Sequence, residues 1–184
     1  MGSDDERYYE TLYGFYPYDW DIDFGTFADH HYLLDREYID EGCITLDYSE
    51  ASVVHKFVYP HFFKRLYWIE GVIKGQITLS TIGATSTVTS YRVTICKMHA
   101  DTTDTELIST GWITVNDTLA WDSGPSVGDE IVYPFWIDCL EEKEVSENER
   151  IYVKVEVECT SPCVLYHTNG GEFTDLKVEI PIRG

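Results

Sequence analysis

Cys159, Cys163 and His167 recur every four residues, and Cys96-x-x-His99 stands apart from them. Thiolates and imidazoles of this kind can hold zinc when four converge tetrahedrally. The Thr160-Ser161-Pro162 turn would bring Cys159 and Cys163 together, which also admits a disulfide. The spacing is not that of a known zinc knuckle, and cysteine is a common buried residue, so no metal is expected. Asp19-Trp20-Asp21-Ile22-Asp23-Phe24-Gly25 has the acidic alternation of a calcium loop. Such a loop needs glycine at its sixth position and glutamate at its twelfth. Phe24 and His30 stand there instead, so the segment reads as an edge strand with its aspartates in solvent.

Catalytic signatures are equally sparse. The chain has no phosphate-cradling glycine loop, no nucleophile elbow, no H-E-x-x-H and no dinucleotide fingerprint. His30, His31, His55 and His61 follow no metal-binding period. With 33 acidic residues, paired carboxylates for glycoside hydrolysis arise by chance, so they identify nothing. The sequence therefore predicts a protein that is not an enzyme and carries no cofactor. Trp112, Trp121 and Trp136 are candidate sugar platforms, because exposed indoles beside polar loops stack on pyranose rings. Core packing or an interface is the reading that sequence alone prefers for them.

Those residues must be positioned by strands. In Tyr67–Leu79 the odd positions are mostly apolar and the even ones mostly polar, the period of a half-buried strand, with Gly71 and Gly75 as bends or bulges. Arg150–Cys159 and Asp175–Ile182 alternate as cleanly. Further strands are expected at Thr87–Met98, Glu106–Val115, Glu130–Cys139 and Val164–His167, with Glu141–Glu149 as a short helix or exposed loop. Reversal-favouring residues separate these runs and no long amphipathic helix intervenes. The expectation is all-β: an antiparallel two-sheet sandwich, jelly-roll-like, over residues 66–184. Ile73, Ile77, Val93, Ile95, Ile151, Val153, Val155, Val178 and Ile180 should form its core.

Residues 1–65 read as an irregular, acidic, aromatic-rich N-terminal arm. Of 27 aromatic residues, 18 lie at or before Trp68, and residues 1–55 carry 14 acids against Arg7 and Arg36. Ordering some 60 residues costs about 1–2 kcal/mol each, more than burying 18 aromatics at roughly 1.5–3 kcal/mol each returns without a docking surface. Tyr8, Tyr9, Tyr13, Phe15, Tyr16, Tyr18, Trp20, Phe24 and Phe27 are therefore the candidates for contacts with neighbouring subunits, in a homo-oligomer or larger shell.

The formal charge of -20 repels phosphate backbones and anionic membrane surfaces, so nucleic acid and membrane are not expected partners. Acidic excess also fits a solvated surface, a basic partner, cation binding or a high-salt setting. No signal peptide or apolar span is visible, and five cysteines suit reduced thiols, which together imply cytoplasmic synthesis.

The order of pieces carries a resemblance. A Thr-rich strand pair (Gln76–Thr81, Thr85–Met98) leads to Ser109–Val115, a Gly128-Asp129-led strand and Glu149–Val157. Val164–His167, a Gly-rich turn and Leu176–Ile182 close the chain. This resembles the β-sandwich structural domains in virions of tailed viruses of bacteria and archaea. The resemblance implies a capsid-associated decoration or accessory protein, located in the virion, made in the host cytoplasm and bound to capsid or other virion proteins. The alternative is a carbohydrate- or receptor-binding jelly roll, in a virus tail.

Overall fold

The structure is a computed structural model. It describes residues 8–15, 31–35, 46–49, 52–59, 63–81, 83–99, 104–122, 129–166 and 176–184. Among these, twelve strands and no helix are formed. They are β1 (Tyr8–Phe15), β2 (His31–Asp35), β3 (Leu46–Ser49), β4 (Ser52–Val58), β5 (Tyr67–Thr81) and β6 (Ser86–Met98). The remainder are β7 (Asp104–Ser109), β8 (Ile113–Leu119), β9 (Ile131–Val145), β10 (Arg150–Cys159), β11 (Cys163–Tyr166) and β12 (Lys177–Arg183).

Two antiparallel sheets pack face to face. One is built on β5, with β9 along one flank and β12 and β11 end to end along the other. β1 extends it beyond β12, and β3 beyond β11. The second is built on the β6–β10 pair, with β7 and β8 beyond β6 and β4 beyond β10. β2 pairs antiparallel with β1 and parallel with β4, so hydrogen bonding continues around one side of the sandwich.

Period-2 alternation explains the core. Ile73, Ile77, Val93, Ile95, Val153, Val155, Val178 and Ile180 are fully buried, and Ile151 is 1% exposed. All nine expected core positions thus face the opposing sheet, where each buried aliphatic side chain contributes roughly 1.5–3 kcal/mol by leaving water. Gly71 is a bulge as expected: its φ of 119° coincides with a register shift against β9. Gly75 is not a bulge. It stays in register opposite Phe135, and a Cβ there would lie 2.7 Å from the Phe135 ring and collide with the Lys177 carbonyl. Close approach, not bending, is what requires glycine.

Three expectations are corrected. Glu106–Val115 is not one strand: Thr110 exchanges hydrogen bonds with Val93 through its backbone and hydroxyl, and Gly111 turns at φ 68°, dividing β7 from β8. Glu141–Val145 is neither helix nor loop but the end of β9, in register with Tyr67 and Trp68 as far as Val145 and Glu144. Most consequentially, residue 65 is not a boundary of the sheets. Tyr8–Tyr13 pairs with β12 over six residues and Ser52–Val58 with β10 over seven. Leu12, Phe57, Val58 and Tyr59 are buried. These pieces cover strand edges that would otherwise be open, so they belong to the sandwich.

Candidate functional site

The outer face of the β9–β5–β12 sheet carries a grid of side chains fixed by register. Pro134, Gln76 and Lys177 form one row; Trp136, Lys74 and Glu179 form the next. Strand alternation sends Phe135 and Ile137 into the core and leaves Trp136 outside, 68% exposed. Pro134 is tolerated because β9, among the described residues, pairs only with β5. An open groove of about 410 Å³ lies along these rows, within the usual range for small-molecule sites.

The polar side of the groove is held in place. Lys74 Nζ donates to Glu179 Oε2 and Lys177 Nζ to Oε1, both at 3.0 Å. Burial alone would raise the Glu179 carboxyl, but the hydrogen bonds from Lys177 and Lys74 outweigh it and hold the group below the usual carboxylate range. A large flat apolar ring beside fixed donors and a fixed carboxylate can stack on one face of a sugar while bonding its hydroxyls.

The other indoles do not join it. Trp112, 46% exposed, lies under Arg92, whose guanidinium is 5.1 Å from the ring and bidentate to Glu156. Arg92 belongs to β6, so Trp112 serves the opposite sheet. Trp121 is half-buried after β8, its backbone N–H donating to Thr85. Trp136 combines 68% exposure with a place in the groove lining. Among the arm candidates, Tyr9 is 58% exposed on β1. Tyr8, Tyr13 and Phe15 lie on the same strand; Tyr16, Tyr18, Trp20, Phe24 and Phe27 lie outside the described residues, as does the Asp19–Gly25 segment.

The cysteines divide into separate environments. Cys96 sits with Val58, Met98 and Tyr152 on the outer side of the β4–β10–β6 sheet, and burial pushes its thiol up to about 11. Cys163 lies 3.3 Å from Ser86 Oγ, and a hydrogen bond from Cys159 holds its thiol below the ordinary value. Cys96 is in register with Tyr152, seven residues along β10 from Cys159, a separation of roughly 20 Å at strand rise. Cys96 therefore cannot complete a site with the other two, and His167 lies outside the described residues.

One acid–base pair was invisible in the sequence. The Glu149 carboxylate, 3% exposed, accepts hydrogen bonds from His99 Nδ1 and Lys97 Nζ at 3.0 Å each and from the Ser146 N–H at 2.7 Å. A buried carboxylate bonded to an imidazole matches two of the three members of a catalytic triad, the base and the group that orients it. No local sequence motif joins residues 50 positions apart; the β6 and β10 register does so.

No protein-family description and no curated protein matches the chain. Solved structures do. A CocE/NonD family hydrolase from Staphylococcus aureus, in two crystal structures, shares 13% identity with TM-scores of 0.55 and 0.59. The match covers 96% and 97% of this chain but 37% of the hydrolase, so the chain spans little over a third of that protein. A structure of infectious bursal disease virus, Gt strain, aligns over 97% of this chain and 36% of that one, with 10% identity and a TM-score of 0.33. The hydrolase likeness establishes the sandwich fold. It also corrects the expectation that the chain is not an enzyme: a hydrolase carries this fold over about a third of its length, and missing linear motifs are no ground for setting hydrolysis aside. Among the described residues, no helix is long and apolar enough to cross a membrane.

Proposed function

We propose that the chain is a carbohydrate- or receptor-binding β-sandwich whose ligand lies on the outer face of β9, β5 and β12. One observation carries this: Trp136 stands 68% exposed over a groove whose polar wall, Lys74–Glu179–Lys177, is fixed by paired hydrogen bonds. An isolated exposed tryptophan would need no explanation, but this one adjoins donors and acceptors at sugar-hydroxyl reach. The stacked ring supplies contact area, and the fixed side chains bond hydroxyls without losing much rotamer freedom on binding. The setting is compatible with a part of a hydrolase, since one such protein shares the fold over about a third of its length.

A second reading keeps the assembly role, as a head-associated virion component binding copies of itself or other virion proteins. It rests on the tailed-virus resemblance and on Val72 and Leu140, 44% and 88% exposed on the same face, which extend the apolar strip past the groove. A glycan array probed with the full chain separates the two. The first reading expects binding that Trp136→Ala weakens by about tenfold and Trp112→Ala leaves intact. Absence of glycan binding, with particle association lost in Leu140→Asp, would replace it with the second.

A further inference from the structure

We infer that the groove selects a sugar bearing a carboxylate, a hexuronic acid in a chain or at its end, over the corresponding neutral hexose. The inference rests on the carbohydrate reading and names its ligand class. Charge complementarity is the reason. The chain as a whole carries -20, with 13 cations against 33 acids. Yet two lysines converge on the single carboxylate of Glu179 beside the exposed indole, leaving the immediate groove with one positive charge in excess. Among the described residues, the Asp138 carboxylate lies one row further along β9, opposite Val72 and outside the lysine rows.

The arrangement is specific to an anion with a ring attached. Lys74, 59% exposed, is in register with Trp136, so a pyranose stacked on the indole has an ammonium beside its rim, where an exocyclic C6 carboxylate turned that way would meet it. Each lysine has three donor protons, so bonding Glu179 at 3.0 Å leaves donors for a second carboxylate. Glu179 itself, kept ionised by its lysines, repels an anion from its own end and directs it to the indole side. At physiological ionic strength the distant acids are screened over about 8 Å, so local groups decide selectivity.

The test uses the full chain and a matched pair, cellobiose and cellobiouronic acid, which differ only by oxidation at one C6. NMR titration of each gives both affinities. The acid should bind about fivefold tighter, the scale of one partly exposed charge pair. The ratio of the two affinities should fall to about one in Lys74→Gln, even where the loss of a hydroxyl partner lowers both, and should shrink at high salt. Equal affinities in the unaltered chain would overturn the selectivity while leaving the carbohydrate reading standing. Failure of both sugars to bind would instead remove the reading beneath it. Preference for the acid that persists in Lys74→Gln and in Lys177→Gln would also overturn the inference, since other groups would then be responsible.

Discussion

Trp136 on β9 lies in register with Lys74 on β5, and Lys74 is in turn opposite Glu179 on β12, bonded to it at 3.0 Å. An exposed ring and a fixed ion pair thus share one row of a rigid sheet. Sites built on strands hold their geometry better than sites on loops.

Trp136→Ala should lower saccharide affinity by about tenfold or more, the upper range for one aromatic contact. Being 68% exposed, the side chain contributes little to folding. Urea unfolding of the variant should therefore match the parent within about 0.5 kcal/mol. A large loss of stability would show the ring to be structural.

Gly75→Ala should destabilise the fold by about 3 kcal/mol or prevent folding. The added methyl meets the Lys177 carbonyl and lies 2.7 Å from the Phe135 ring, so either β12 or the core must shift. Chemical denaturation measures it, and a change below about 0.5 kcal/mol would contradict the packing described.

Val155→Ala removes two methyl groups from a fully buried position between the sheets. A loss of about 2 kcal/mol is expected from transfer and cavity terms together.

Lowering pH should weaken the groove. The Lys177 and Lys74 ammonium groups hold the folded Glu179 carboxyl below its ordinary value. Its stabilisation is present in full above its unfolded value and is lost as pH falls through the lower folded one. Glu179→Gln should therefore cost stability at neutral pH, with the difference from the parent closing as pH falls through the lowered folded value. A difference that grew on acidification would reverse the sign argued here.

Deleting residues 2–15 should destabilise or unfold the chain instead of freeing an intact body. It removes β1, which pairs with β12 over six residues and buries Leu12. Loss of the near-ultraviolet circular dichroism signal would report it. A truncated chain with native denaturation behaviour would restore the arm reading.

Much of the body was legible because alternation and turn residues are local signals. Arg150–Cys159 is the observed β10 without adjustment, and Tyr67–Leu79 misses only the last two residues of β5. The integration of β1 and β4 was hidden, because their partners β12 and β10 lie 94 or more residues away and leave no local mark. Ser52-Val53-Val54-His55-Lys56-Phe57-Val58 did carry a β-branched run, but clustered aromatics drew the reading toward an arm. At the site, Trp136 was a candidate from its residue type alone. Lys74, Gln76, Lys177 and Glu179 were not, since only register across three strands places them beside it.

The central claim is that Trp136 forms the floor of a saccharide site, and an NMR titration of the full chain with cellobiouronic acid tests it most directly. The indole N–H signal of Trp136, assigned through Trp136→Phe, should shift saturably together with the amides of Lys74 and Gln76, while those of Trp112 and Trp121 stay in place. Saturable shifts confined to Trp112 or Trp121, or no shift at Trp136 at any sugar concentration, would contradict it.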